Sequence, residues 1–411
     1  MLIKRLALLL ALLALVSAPA GAMTREEVRQ AYAAITETGA SPYIEAPRVS
    51  APYEAGELTG DARREALDFL NFARRLAGLT PVSESTIYNY QCQRGAALLA
   101  ALDYVDHSAP KPRDMDQNFY DSAHLATTSG SIAKFSWMRP GILREGVEYF
   151  LRDDGEENLS NLGHRRWALN PAMGLTGFGL ANSESGMSYV VMYAHDLSAI
   201  DAEWDSVPWP APGAFPAELI HDHLAWSIML NPERYDLAAS DISIALTEET
   251  LGLRFEFRPA EGTGDGFCCV NYEGYGAGPC LVFRPDLAAA GVVDYQQNQR
   301  WRVRLDGLTR ADGSETHLEY TVDMVSLFVQ DAVNIEISQL EAALHPGETL
   351  ALDADVIPAY ADDLSVAWTS TDPAVATVDE RGSVTAVAPG TCQILCRDAA
   401  GHEDACAVTV E

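Results

Sequence analysis

The amino-acid sequence predicts a multidomain protein in which an α+β domain is followed by two all-β sandwich domains. Its 411 residues suffice for two to four domains of roughly 100 to 200 residues each. Apolar residues recur with helical spacing in the first half of the chain and alternate with a period of two in the second half. The apolar content of 48% is ordinary for a globular protein and excludes wholesale disorder.

Three helices and one strand are predicted for the α+β domain. Thr59 or Asp61 caps the first helix, and Gly78 ends it. A third helix is expected at about 142–151 and a strand at 187–193. Helices beside a sheet within about 140 residues are typical of one α+β domain. The second helix begins at Ser83 or Ser85, and its apolar positions are Ile87, Tyr90, Ala97, Leu98, Ala101, Leu102 and Val105.

Beyond about residue 204 the pattern is that of β-strands. Four prolines between Pro208 and Pro216 keep the chain extended and mark a seam after the α+β domain. The alternation that follows, broken by glycine-rich turns, predicts a first all-β sandwich, and a second β unit occupies roughly 333–411. The alternating positions of the first sandwich are Ile242, Ile244, Leu246, Phe255, Phe257, Trp301, Val303, Leu305, Tyr320, Val322 and Met324.

The N-terminus has the pattern of a secretory signal peptide. Lys4 and Arg5 precede eleven mainly apolar residues, 6–16, and Ala20-Gly21-Ala22 fits the A-x-A cleavage site. A membrane-spanning helix needs about 20 apolar residues, so this run is too short to be an anchor. No later segment is long and apolar enough to span a bilayer. We therefore expect an extracellular or cell-surface location and no transmembrane segment after cleavage.

The charge balance excludes several partners. Lys and Arg total 28 against 59 Asp and Glu, which gives a formal net charge of −31. Such an acidic protein repels nucleic-acid phosphates and anionic lipid headgroups. The predicted organisation is a signal peptide at 1–22, an N-terminal segment at 23–58, the α+β domain at 59–203, a β-sandwich of unassigned family at 204–332 and a last domain at 333–411.

Two stretches resemble known families. The run 163–171, GHRRWALNP, followed by Gly177-Phe178-Gly179, resembles bacterial domains of the CAP superfamily (cysteine-rich secretory, antigen 5 and pathogenesis-related 1-like, also called SCP-like). Leu70-Asn71-Phe72-Ala73-Arg74 and His107-Ser108 agree with that family in order, so the resemblance covers about 60–200 and implies an α-β-α sandwich. The run from Trp368 to Gly390 resembles a bacterial Ig-like domain of group 2, a family of exported and cell-surface proteins.

The CAP resemblance implies a cleft in which two histidines and two carboxylates can bind zinc. His107 and His164 match the histidines, and Glu145 or Glu148 matches the second carboxylate. The first carboxylate is missing, because the chain reads Gly130-Ser131-Ile132-Ala133 at that place. Zinc usually takes three or four protein ligands, so we expect at most weak divalent metal binding and no other cofactor. Otherwise the histidines are hydrogen-bonded packing groups.

Other polar motifs favour structural roles. The acidic loop 153–158 misses the spacing of a calcium-binding loop and is expected to be solvated. His221-Asp222-His223 offers two imidazoles without a visible third ligand. We expect Arg165 and Arg166 to tie their helix to neighbouring carboxylates. Cys392, Cys396 and Cys406 should face the core of the last domain, either as free thiols or with one disulfide, most simply Cys396 to Cys406.

Three functions are compatible with these patterns. The favoured one is non-enzymatic: the CAP-like cleft binds an extracellular ligand, such as cell wall, peptide or lipid, and the β domains space or attach it at the surface. A metal-assisted hydrolase would use His107 and His164 as ligands or general acid and base, with Glu148 as a further candidate. Neither G-x-S-x-G nor H-E-x-x-H occurs to support it. The third function is adhesion through the β domains.

Overall fold

The computed structural model describes residues 22–37, 39 and 41–411. All of the predicted signal peptide except Ala22 lies outside these residues. The described chain divides into two compact units. The first comprises the residues up to Tyr295 together with 299–325, and the second comprises 296–298 together with 326–411.

The α-helices of the described residues all lie before residue 170 in the first unit, and seven short strands lie among and just after them. Within the described residues the α-helices are α1 (Arg25–Ala33), α2 (Gly60–Leu76), α3 (Thr86–Leu102), α4 (Gln117–Thr128), α5 (Ile142–Arg152) and α6 (Gly163–Ala168). The strands are β1 (Tyr43–Glu45), β2 (Glu57–Leu58), β3 (Ser83–Glu84), β4 (Gly130–Ser136), β5 (Leu175–Thr176), β6 (Phe178–Asn182) and β7 (Met187–Tyr193). Strands β4, β7 and β6 form an antiparallel sheet in that order.

The predicted helix starts agree with the structure better than the predicted apolar positions. Thr59 caps α2 and Ser85 caps α3, each accepting a bond from a backbone N–H in the first turn. Ile87 and Tyr90 were expected among the apolar positions of α3, but they are 67% and 53% exposed. Helix α3 also ends at Leu102, so Val105 lies outside it. Helices α1 and α4 were not predicted.

Glycines let α3 pack directly on the sheet. A Cβ at Gly179 would lie 2.0 Å from the carbonyl oxygen of Cys92, and one at Gly177 would lie 2.5 Å from the backbone of Tyr88 and Asn89. No side chain fits at such distances. The Gly-Phe-Gly motif is therefore explained by the close approach of β6 to α3.

The rest of the first unit is a two-sheet β-structure. Its strands are β8 (Ser206–Trp209), β9 (Gly213–Pro216), β10 (Trp226–Leu230), β11 (Ser243–Glu248), β12 (Leu253–Arg258), β13 (Thr263–Gly264), β14 (Gly266–Asn271), β15 (Cys280–Pro285), β16 (Arg300–Thr309) and β17 (Glu315–Val325). One sheet has the order β14-β15-β10-β8, and the other β13-β12-β11-β16-β17-β9. Buried rings of Trp226, Phe283, Tyr295 and Trp301 pack at centroid distances of 5.3–6.1 Å.

The proline-rich stretch is part of this β-structure, within the range 204–332 predicted for the first sandwich. It supplies β8 to one sheet and β9 to the other. Each is the last strand of its sheet, and proline is tolerated on edge strands because they need fewer ladder hydrogen bonds. Trp209 is 1% exposed there, and its ring packs edge-on against Phe215 at 4.8 Å.

The second unit is all β. Its strands are β18 (Asn334–Ile337), β19 (Glu341–Leu344), β20 (Thr349–Ala351), β21 (Ala354–Ile357), β22 (Val366–Ser370), β23 (Ala376–Val378), β24 (Ser383–Ala386), β25 (Gly390–Asp398) and β26 (Glu403–Val410). They form a two-stranded, a four-stranded and a three-stranded sheet around one core. Cys392, Cys396 and Cys406 are buried in it, as predicted, and all are free thiols. Cys406 lies opposite Ile394 and not opposite Cys396.

None of the helices in the described part of the chain has the length and apolar character needed to cross a membrane.

Candidate functional site

Asp153 and His164 form the best-defined polar pair near the predicted cleft. Asp153 follows α5 in a left-handed conformation and is 3% exposed. Its Oδ2 accepts bonds from the backbone N–H groups of His164, at 2.9 Å, and Arg165, at 3.3 Å, so it caps α6 from outside the helix. Its Oδ1 lies 2.9 Å from Nδ1 of His164 and 3.2 Å from Nδ2 of Asn158. The carboxylate thus fixes the imidazole with Nδ1 as donor, and Nε2 has no hydrogen-bond partner in the part of the chain that the structure describes.

Aromatic rings hold the other side of this imidazole. The His164 ring lies 5.3 Å from the ring of Phe150 and 6.4 Å from that of Tyr149. Tyr149 in turn meets Phe135 of β4 edge-on at 5.7 Å. Burial raises the pKa of Tyr149, and the nearby carboxylates of Asp154, Asp153 and Glu157 raise it further. The surroundings of His164 are therefore aromatic and negatively charged.

His107 has different neighbours. Its Nδ1 lies 2.7 Å from the carbonyl oxygen of Thr127 at the end of α4, and the Thr127 hydroxyl donates to the carbonyl of His107 at 3.0 Å. Its titratable neighbour is His195, whose pKa is lowered by burial and by the charge of His107. The His195 ring lies 4.1 Å from that of Trp167. Within the described residues no hydrogen bond or ring contact joins His107 to His164, so their binding of one metal ion stays a prediction.

The candidate carboxylates are ion-paired elsewhere. Glu145 pairs with Arg139, and Glu148 pairs with Arg152 one helical turn away. At Gly130, where the CAP resemblance would have the first carboxylate, a Cβ would lie 2.6 Å from the carbonyl oxygen of Ala126. That position has no room for a side chain. Among the described residues no group of three or more His, Cys, Asp or Glu has the geometry to hold a metal ion.

The other motifs have structural surroundings. The acidic loop is mostly solvated, as expected, since Asp154, Glu156 and Glu157 are exposed. Asp153 differs because it is a buried helix cap, and Glu156 pairs with Arg284 of β15 at 2.9 Å. His221 and His223 flank the carboxylate of Asp222 in a turn, with ring centroids 6.0 Å apart.

A buried arginine holds the motif around His164 by its backbone. Arg74 of α2 donates to the carbonyl oxygens of Ala168, Asn170 and Met173, which joins the two motifs on which the CAP resemblance rests. Burial lowers the pKa of Arg74 to about 10. The guanidinium thus provides hydrogen bonds to three carbonyl oxygens of this loop.

Arg165 and Arg166 extend into the two-sheet β-structure. Arg165 is 1% exposed and donates to the carbonyl oxygens of Leu151, Arg152 and Ala225, each at 2.6 Å. Arg166 donates to Oδ1 of Asn271 at 2.6 Å and to the carbonyls of Glu273 and Gly278 at 2.8 and 2.9 Å. Their predicted partners were carboxylates; the actual partners are carbonyl and amide oxygens. The sequence signal for a structural role was sound, but nothing in it pointed to the β-structure as the partner.

One family matches the second unit. Residues 331–408 match the bacterial Ig-like domain of group 2, which confirms the predicted Ig-like domain. The protein is thus multidomain and mostly β. A curated relative, a 3-O-alpha-D-galactosyl-alpha-L-arabinofuranosidase of Bifidobacterium longum subsp. longum, is 52% identical over 54 residues. That alignment covers 13% of this chain and only 5% of the enzyme.

Solved structures are similar to parts of the chain at low identity. A mutant intimin of EHEC O157:H7 is 17% identical over 18% of this chain and 45% of its own, with a TM-score of 0.16. Domains 4 and 5 of the S-layer protein SbsC are 18% identical to this chain. The match covers 27% of this chain and 64% of the SbsC chain, with a TM-score of 0.18. Chicken VE-cadherin EC1-2 is 12% identical, and the match covers 48% of this chain and 96% of the cadherin chain, with a TM-score of 0.22. None of these three covers more than 48% of this chain.

Proposed function

We propose that the protein works outside the cytoplasm, at a bacterial cell surface or in the surrounding medium, as a binding or adhesion protein. Two independent features support this. Residues 331–408 match a family of bacterial Ig-like domains, and residues 1–22 have the composition of a secretory signal peptide. The strongly acidic composition is compatible with an exported, well-solvated protein.

Within this function, the surroundings of His164 form the ligand-binding cleft of a CAP-like domain, and the Ig-like domain spaces or attaches it. The observation that carries this assignment is the Asp153–His164 pair. It fixes one imidazole nitrogen and leaves Nε2 without a hydrogen-bond partner among the described residues, on a side chain that is 18% exposed. The hydroxyl of the adjacent Tyr149 likewise has no partner there. Two oriented polar groups beside aromatic rings suit a ligand that is both polar and apolar.

The same pair is the observation that favours the rival function, a hydrolase. A carboxylate that orients an imidazole is the arrangement of a general base. The hydrolase would also need a nucleophile or an activated water. We favour binding for two reasons. The candidate metal ligands Glu145 and Glu148 are ion-paired with arginines, and Gly130 has no room for the missing carboxylate.

Binding assays with the protein starting at Met23 test the proposal. The probes are purified peptidoglycan, a mixture of unmodified peptides and vesicles of zwitterionic lipid. We expect one probe to bind without being cleaved, and His164→Ala to weaken that binding at least tenfold. His317→Ala is the matched control, since His317 is exposed on β17. Equal binding by wild type and His164→Ala, or no binding to any probe, would refute the cleft assignment.

The other two functions predict different results. Sub-micromolar zinc affinity that is lost in His107→Ala and His164→Ala, together with cleavage of a probe, would establish the hydrolase. If deletion of residues 326–411 abolishes binding while His164→Ala retains it, adhesion through the Ig-like domain is the function.

A further inference from the structure

A second concave site lies away from His164, where the first turns of α2 and α3 meet the edge of the sheet. It is a groove of about 370 Å³. That volume is at the lower end of the roughly 300–1,000 Å³ typical of small-molecule sites. None of the residues that contact His107 or His164 lines it. The groups that line the groove include Glu57, Arg63, Glu84, Thr86, Asn89 and Tyr90.

One face of α3 forms the floor of the groove. Thr86, Asn89, Tyr90 and Gln93 are spaced three or four residues apart, so their side chains leave the helix on one side. The apolar periodicity predicts Tyr90 among the inward-facing positions of the helix. Its 53% exposure leaves it unexplained by packing.

The walls are held rigidly by hydrogen bonds. Asn89 accepts from the backbone N–H of Phe178 at 2.9 Å and donates to Oε1 of Glu84 at 2.6 Å. The same Oε1 receives the ion pair from Arg63. Gln93 donates to the carbonyl oxygen of Leu180 at 2.8 Å and accepts from the Leu180 N–H at 3.0 Å. These bonds fix the shape of the groove before any ligand arrives, which lowers the entropic cost of binding.

Several groups in the groove remain available to a ligand. The side-chain carboxylate of Glu57 and the hydroxyls of Thr86 and Tyr90 have no hydrogen-bond partner among the described residues. Both hydrogen bonds that the described residues make to the Glu84 carboxylate use Oε1, which leaves Oε2 for a ligand. The guanidinium of Arg94 covers one face of the Tyr90 ring at 3.4 Å from its centroid and thereby holds the ring in place. A preorganised aromatic ring and several acceptor oxygens therefore share one groove.

We propose that this groove binds a neutral saccharide of one or two sugar rings. The C–H face of a pyranose packs on an aromatic ring, and its hydroxyls donate to carboxylate and hydroxyl oxygens. The charges of Arg63 and Glu84 balance, so Glu57 leaves the groove negative and disfavours anionic ligands. A cationic ligand on the Tyr90 ring would meet the positive charge of Arg94 behind it. A neutral ligand is repelled neither by Glu57 nor by Arg94.

Ligand-observed NMR and calorimetry on the protein starting at Met23 test the proposal. The probes are four neutral disaccharides (lactose, maltose, cellobiose and N,N′-diacetylchitobiose), with tetramethylammonium and glucuronate as charged comparators. We expect at least one disaccharide to bind with a Kd near or below about 1 mM and both comparators to bind at least tenfold more weakly. Tyr90→Ala should weaken disaccharide binding at least tenfold. Tyr272→Ala, which removes a similarly exposed ring from the β-structure, should leave it unchanged.

A second variant guards against a folding artefact. Glu57→Gln changes only an exposed side chain, and it should weaken binding measurably while the thermal transition stays in place. The proposal is wrong if no disaccharide binds up to about 10 mM, if a charged comparator binds more tightly, or if Tyr90→Ala and Glu57→Gln both bind like wild type.

Discussion

Replacing Arg165 by alanine should destabilise the first unit strongly, because that guanidinium joins α5 and α6 to the two-sheet β-structure. Its three bonds of 2.6 Å end on carbonyl oxygens: those to Leu151 and Ala225 are buried, and that to Arg152 is partly buried. Leaving a buried acceptor unsatisfied costs about 1–3 kcal/mol. Burial lowers the pKa of Arg165 to about 10, because burying its charge costs free energy. This cost offsets part of the stability that the three hydrogen bonds provide. We therefore expect a net loss of about 3–5 kcal/mol, which is usual when a buried charged network is broken.

Urea unfolding followed by tryptophan fluorescence measures this loss, since six of the seven tryptophans lie in the first unit. With a denaturant slope of about 3 kcal/mol/M, the midpoint should fall by roughly 1–1.7 M. The control is Arg258→Ala, which removes an exposed arginine and should change stability by less than about 0.5 kcal/mol. If Arg165→Ala costs less than about 1 kcal/mol, the guanidinium does not join these elements in the way described.

Three further predictions concern packing, acid stability and autonomy. Gly179→Ala should cost about 2–3 kcal/mol of stability because its Cβ would meet the carbonyl of Cys92 at 2.0 Å. Thermal unfolding measures this loss, with Gly274→Ala as the control because a Cβ there meets no atom within 4 Å. Equal melting midpoints for the two variants would contradict the prediction. Burial opposes ionisation of Asp196, yet hydrogen bonds from Ser198, Gly174 and Leu175 lower its pKa. The ionised carboxylate therefore stabilises the fold above about pH 4, and this stabilisation is lost as the pH falls through the lowered pKa of Asp196. Urea titrations at pH 5 and pH 3 should show a smaller acid loss for Asp196→Asn, and an equal loss would refute this. Residues 326–411 alone should unfold in one cooperative transition by circular dichroism; a random-coil spectrum would show that the unit does not fold independently.

The sequence predicted elements whose signal is local. Alternating apolar residues such as Ile244 and Leu246 identify β11, because one face of that strand is buried. Thr59 and Ser85 identify two helix starts through their capping side chains. Helix α4 was missed because its buried residues are mostly small, as at Ala123 and Ala126. Packing against α3 stabilises this helix, although its sequence has no strong apolar periodicity.

The parts of the site that depend on distant partners could not be predicted. Asp153 caps α6 and orients His164 from eleven residues away, although its sequence context is that of a solvated acidic loop. Arg165 reaches a carbonyl 60 residues further along the chain. Tyr90 has an ordinary helical position, and only its exposure beside Glu57 and Glu84 identifies the groove. In each case the tertiary environment decides the role of the side chain.

The proposal that the protein works outside the cytoplasm is tested most directly by locating and sequencing the mature chain. The full-length protein is expressed in a bacterial host, and intact cells and medium are separated from the cytoplasm. We expect the chain in the medium or exposed to added protease on intact cells, with an N-terminus near Gly21 or Met23. A protein that stays in the cytoplasm with residues 1–20 intact would contradict the account.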